Sequence, residues 1–235
     1  MINEDALLPA DVLANLPDTE AVLDHAVDVD GERWRRALSD RGLPPMVGKL
    51  ADAGRTTVTR REVFDLGDQE LTVDHAFQLL YYALAWGLGT RASRLHQRLD
   101  GLAKHQDTAG ELLVSAWTSV RNGEPTVEAY RLLTTNRGAG RIPWFGPAFS
   151  TKFLYFSQGD TTNPRHLILD QVVARNLQRD VWPDAPTAGW WPDAYRRYCT
   201  LLSHWAAQAS ESPDMQRTVR ADEIELALFR RRPAA

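Results

Sequence analysis

Cysteine is almost missing from this 235-residue chain, with Cys199 the single copy. That excludes an intrachain disulfide and any cysteine-ligated iron–sulfur cluster. No apolar run approaches the roughly 20 residues needed to span a bilayer, and Met1-Ile2-Asn3-Glu4-Asp5 lacks the basic start of a secretory signal. A cytoplasmic location follows as an expectation (at the nucleoid in a bacterium), with no membrane association. The six histidines show no metal-ligand spacing, so no metal and no cofactor is expected. Period-2 runs bounded by hairpin turns are lacking, as are internal repeats, so strands beyond minor ones are not expected.

Two further scarcities concern charge. Residues 1–32 carry nine acids and no lysine or arginine. With a net charge of −4 overall, the remainder of the chain is net +5. The acidic start (residues 1–31) is expected to be a solvated or partly disordered segment. Residues 32–235 then form the folded domain, with the apolar fraction (43%) of an ordinary globular protein. Lysine is also rare: the chain has Lys49, Lys104 and Lys152, and every other strong base is arginine.

What is present is mostly helical. Glu32–Leu38 is amphipathic. Thr72 opens a long helix through Tyr82 and Trp86 that Gly87 and Gly89 close. Leu95, Leu99 and Leu102 recur at helical spacing beside Arg91, Arg94 and Arg98. A helix capped by Asp107 or Thr108 runs to Asn122-Gly123, and Pro125-Thr126 starts one ending near Asn136. Helices are also expected over Pro147–Ser157, from about His166 to Val181, near Asp193–Gln208 and over Ala221–Arg230. The fold class is all-α.

Lys152 lies in Phe149-Ser150-Thr151-Lys152-Phe153-Leu154-Tyr155-Phe156. An ammonium ion is costly in such surroundings, and an amine kept neutral is a nucleophile at neutral pH, a role arginine cannot take. Asp170 follows 18 residues later, after Leu167-Ile168-Leu169. On their own the two residues fit either chemistry or a structural ion pair. Upstream, Gly146 allows close backbone approach and Pro147 suits a first helical turn. Free amides at such a start attract phosphate.

Ile142-Pro143-Trp144-Phe145-Gly146-Pro147 is similar to the Leu-Pro-Gly-Val-Gly-Pro hairpin of the helix-hairpin-helix DNA glycosylase superfamily. Leu169-Asp170-Gln171-Val172-Val173-Ala174-Arg175 resembles that superfamily's Val-Asp-x-x-Val-x-Arg segment. The resemblance is strongest over residues 126–180. It implies a helical fold with an active-site cleft between two subdomains, a monomer, and a double-stranded DNA partner containing a damaged base. The implied activity is excision of an oxidised purine, 8-oxoguanine above all, with AP lyase activity through a Schiff base. Lys152 would be the nucleophile and Asp170 its electrostatic partner. Gly146, Arg141, Trp144, Arg165 and Arg175 would contact DNA. Phe145, Trp190 and Trp191 are the base-stacking candidates, while Trp34, Trp86, Trp117 and Trp205 read as core.

Two departures stand out. Trp144 replaces the first hairpin glycine. The lysine of the usual bifunctional 8-oxoguanine glycosylase pattern falls at Ala148, one helical turn before Lys152; archaeal-type 8-oxoguanine glycosylases likewise carry theirs within an apolar helix. A non-catalytic DNA-binding module of this fold, or a helical protein-interaction domain, would share much of this pattern.

Overall fold

Helix α10 (Pro147–Ser157) is the axis of the fold. Its sequence is apolar on every face, and such a helix is stable only when surrounded. Ser150 through Ser157 are all buried. Around it pack α5 (Arg60–Gly67), α6 (Val73–Leu88), α8 (Gln106–Arg121) and α9 (Thr126–Leu133). The computed structural model describes residues 2–52, 54–213 and 215–231. Helix α6 is buried from Ala76 to Trp86. The Thr72 hydroxyl caps its start, accepting from the His75 amide at 3.2 Å. It runs through Gly87 and stops at Gly89, whose φ of 58° favours glycine.

The other elements flank this core. Before it come α1 (Ala10–Leu13), α2 (Thr19–Leu23), β1 (Ala26–Asp30), α3 (Gly31–Ser39), α4 (Lys49–Asp52) and β2 (Arg55–Thr59). Strands β1 and β2 pair antiparallel, Ala26 opposite Thr59 and Asp30 opposite Arg55, the one small sheet among the described residues. Helix α7 (Leu95–Lys104) precedes α8; α11 (Gln171–Asp180), α12 (Pro192–Ser210) and α13 (Ala221–Arg230) close the chain. Helix α13 packs on α11, α12, α1 and α2. The two chain ends thus meet beside α6 and α10, and the cleft between them holds the candidate site. Among the described residues no helix is long and apolar enough to cross a membrane.

The acidic start is not a solvated tail. Val12, Val22, Leu23 and Val29 are buried. Its carboxylates are matched by arginines from distant sequence: Glu4 by Arg196 and Arg197, Asp11 by Arg231, Glu20 and Asp24 by Arg61. Asp18 and Asp30 cap α2 and α3. Acids without local bases here mark a segment that docks on basic surfaces elsewhere.

Four helix limits differ from expectation. The sequence suggests a helix over Thr90–Lys104, but α7 starts at Leu95, after a short 3-10 turn over Gly89–Arg91. Helix α8 starts at Gln106 after His105, ahead of the anticipated Asp107 cap. Helix α9 ends at Leu133, because Thr134 turns extended and bridges to Gly140. The largest difference lies at residues 166–169, which are not helical. Side-chain hydroxyls replace the helical hydrogen bonds there. Tyr195 donates to the Leu167 carbonyl (3.2 Å), Tyr198 to that of Ile168 (2.6 Å) and Thr151 to that of Leu169 (3.1 Å). The Leu169 amide in turn donates to Thr151 Oγ1 at 3.2 Å. A buried extended segment needs such partners, and these fix the residue that follows, Asp170.

Candidate active site and nucleic-acid groove

Asp170 is the N-cap of α11. Its Oδ1 accepts from the amides of Val172 (2.9 Å) and Val173 (3.1 Å), and the helix start favours its negative charge. Oδ2 is left facing Lys152 Nζ at 3.5 Å. The lysine side chain is 7% exposed and that of the aspartate 19%, so both are sheltered yet reachable. They line one cavity of about 230 Å³, together with His25, Val27, Arg60, Trp86, Gly87 and Phe229 among others. Ala148, the position of the displaced lysine pattern, lines a different depression further out. Of the two positions one turn apart, only 152 shares a cavity with the aspartate.

Helix α6 makes room for that lysine. A Cβ on Gly87 would lie 2.8 Å from Lys152 Cδ and 3.0 Å from its Cε. The clash is with the flexible part of a side chain, so Gly87→Ala should fold with little loss of stability yet displace the amine. For a lysine that acts as a nucleophile, the expected result is a 10- to 100-fold slower covalent step, on the order of what about 1 Å of misplacement costs. Unchanged single-turnover rates in the variant would show that the amine tolerates the shift.

The cavity floor is a second, tighter ion pair. Arg60 donates to Glu225 at 2.7 Å and to the Tyr155 hydroxyl at 3.1 Å; Tyr155 donates to Asp222 at 2.8 Å. Arg220 holds Asp222 from the other side at 2.8 Å. Burial raises the Glu225 carboxyl above its ordinary value, with Arg60 pulling it back, and burial pushes the Tyr155 hydroxyl up. This chain of full-strength bonds is structural. By comparison 3.5 Å is long for a charge-assisted bond.

Outside the cavity, a groove of about 580 Å³ runs past the start of α10, lined by Arg94, Arg98, Trp144, Gly146, Phe149 and Gln171 among others. Ile142 and Trp144, from the turn before α10, form part of its wall. The Phe145 amide donates to the Ile142 carbonyl at 3.0 Å, and Trp144 has a φ of 68°. Proline at the second place and a positive φ at the third define a type II turn. Glycine is the natural occupant, so the tryptophan keeps the turn's shape at a steric cost. Trp144→Gly should therefore raise stability by about 1 kcal/mol at most, a shift of a few degrees in melting temperature. A drop in that temperature would mean that the ring, 52% exposed, holds the turn in place.

Gly146 is the N-cap of α10, and a Cβ there would meet nothing within 4 Å, leaving the backbone open to a ligand. Arg98 stacks on Phe149, 4.3 Å from the ring centroid, and donates to the Trp144 carbonyl. Burial, then the nearby Arg94, lowers its pKa.

Of the other sequence candidates, Phe145 and Trp190 also line this groove, and the rest do not. Arg175 is exposed on α11, with no hydrogen bond or ion pair among the described residues. Arg141 donates to the carbonyls of Arg131 (3.0 Å) and Thr134 (3.1 Å), closing the end of α9. Arg165 donates to those of Gly123 and Glu124, both at 2.8 Å. Both act in the fold. Phe145 is buried and cannot stack on a base as it stands. So is Trp190, whose Nε1 donates to the Pro186 carbonyl at 2.7 Å and whose own carbonyl accepts from Tyr130. Trp191 is exposed but lines a separate pocket with Ile2 and Trp182. Cys199 is free and buried. His25, Gly87, Arg60, Glu225 and Phe229 escaped the sequence reading because they come from four separate regions of the chain. Arg94 and Arg98 had a signal, two bases one helical turn apart.

An all-α chain whose lone cavity lysine faces a helix-capping aspartate, behind a groove walled in part by the turn before α10, has the architecture of a glycosylase-like helical protein. Residues 20–229 match the model of the family described as "Putative 8-oxoguanine DNA glycosylase OGG-like protein", and the chain belongs to that family. No curated protein and no solved structure matches it.

Proposed function

We propose that this protein is a DNA glycosylase with AP lyase activity that excises an oxidised purine, 8-oxoguanine foremost, using Lys152 as nucleophile. The observation that carries the proposal is the placement of Lys152 Nζ 3.5 Å from Asp170 Oδ2 in one sheltered cavity. The α9–turn–α10 unit serves as a helix-hairpin-helix element, its Gly146 backbone holding a phosphate without reading sequence. Arg94 and Arg98 add positive charge beside it. The damaged nucleotide is turned out of the duplex so that its sugar reaches the cavity.

The neutral amine attacks C1′, and the N-glycosidic electron pair leaves with the base, which takes up a proton. Opening of the sugar ring gives a Schiff base between Nζ and C1′. Loss of a C2′ proton then expels the 3′ phosphate and nicks the strand. Asp170, held in place by two amide donors, stabilises positive charge on the sugar. Support for chemistry over a structural ion pair comes from the cavity itself, where the 2.7 Å Arg60–Glu225 pair contrasts with the longer lysine–aspartate contact.

The test is borohydride trapping on duplex DNA containing 8-oxoguanine. A covalent adduct of one protein per strand is expected. Salt-sensitive binding with neither adduct nor base release would instead identify a non-catalytic DNA-binding module.

A further inference from the structure

The cavity beside Lys152 contains polar groups that the protein leaves unpaired. His25 Nδ1 and Arg60 Nε are buried without a hydrogen-bond partner, and both residues line this cavity. Both atoms are shut off from solvent, so the His25 ring can meet a ligand only through its other nitrogen, Nε2, which has no hydrogen-bond partner among the described residues. His25 is firmly placed. Its carbonyl accepts from Trp86 Nε1 at 3.1 Å and from the Arg60 amide at 3.2 Å. Its ring stands edge-on to Trp86, centroids 5.2 Å apart, and 6.0 Å from Phe229. Val27, Leu88 and Ile168 complete an apolar wall.

We propose that His25 is a specificity-determining residue whose ring N–H donates to a carbonyl oxygen of the extruded base. This rests on the glycosylase reading above. Burial, with the charges of Arg60 and Arg230, lowers the pKa of His25 to about 4, so the ring is neutral at pH 7 and has one N–H and one bare nitrogen. Nδ1 is sealed from water. An unpaired N–H there is costlier than an unpaired lone pair, which puts the proton on Nε2, the nitrogen left to face a ligand. An open N–H in the cavity favours a ligand that presents an acceptor to it. Oxidation of guanine at C8 puts a carbonyl oxygen where the normal base has C–H, while N7 gains a hydrogen and ceases to accept. The unmodified base has only a C–H at that place and would leave the donor unpaired. Sites built around such a hydrogen bond reject the analogue lacking it by large factors.

The experiment uses two duplexes, one with 8-oxoguanine and one with a preformed abasic site, and three proteins: wild type, His25→Phe and His25→Gln. The abasic duplex reports Lys152 chemistry and folding without a base. His25→Phe keeps the aromatic packing but has no donor. It is expected to lose about 100-fold in 8-oxoguanine excision and to trap abasic DNA at the wild-type rate. His25→Gln, which retains an N–H, should recover most of the excision. Equal losses on both duplexes would make His25 structural and overturn the proposal, as would undiminished excision by His25→Phe. Wild-type protein that traps abasic DNA but releases no 8-oxoguanine would also overturn it while leaving the lyase chemistry intact. Failure of wild type on both duplexes would remove the glycosylase reading itself.

Discussion

Lys152→Ala should abolish covalent trapping, on damaged and abasic DNA alike, and lower base release by on the order of 10³-fold or more. No other amine replaces it, because Lys152 is the one lysine among the residues lining the cavity. The fold should survive. Asp170 keeps its two amide donors, so the deletion leaves no bare buried carboxylate, and DNA binding through the outer groove is retained. Lys152→Arg gives no rescue, since a guanidinium stays protonated and cannot form the imine. Gel-resolved trapping together with single-turnover base release is the measurement. An adduct that persists in Lys152→Ala moves the nucleophile elsewhere.

Asp170→Asn separates the helix cap that Asp170 provides from the charge it would supply to the proposed chemistry. Asparagine caps helices as well as aspartate does, and its Oδ1 can still accept from Val172 and Val173. Melting temperature and DNA affinity should therefore stay near wild type. At the other oxygen an uncharged NH₂ would face the amine, and the positive charge growing on the sugar loses its counter-charge. Turnover should fall on the order of 10² to 10³-fold, the scale of removing one preorganised electrostatic partner. Asp170→Ala should show the same kinetic loss plus about 1 kcal/mol of instability from the missing cap. Wild-type turnover in Asp170→Asn would remove the carboxylate from the mechanism.

The helical class and the lysine–aspartate pairing were legible because each has a local signature. Helix α10 is apolar on all sides, and Pro147 and the glycine before it mark its start; α13 matched its expected limits as well. The aspartate followed from the apolar stretch that ends in it. What could not be read is what other elements supply. Leu167, Ile168 and Leu169 have the composition of a helix or a strand, and hydroxyls from α10 and α12 decide for extended chain. Trp190 and Phe145 looked like binding residues because aromatics beside glycine and proline suit an exposed loop. Here the loops fold back on one another so closely that a Cβ on Gly140 would sit 1.7 Å from the Phe145 carbonyl oxygen. The arginines at 141 and 165 carry charge that reads as DNA-directed, but backbone carbonyls at nearby helix ends claim them first. The cavity walls draw on residues as far apart as His25 and Phe229, a juxtaposition with no linear trace.

The missing side chain at Gly87 reaches beyond the rate of one variant. A side chain at 87 and an undisturbed lysine at 152 compete for the same volume, so the two positions cannot drift independently. A lineage that fills position 87 must shift the lysine side chain or place its amine elsewhere along α10. Among relatives, the residue on α6 would then report whether the amine still sits beside the aspartate.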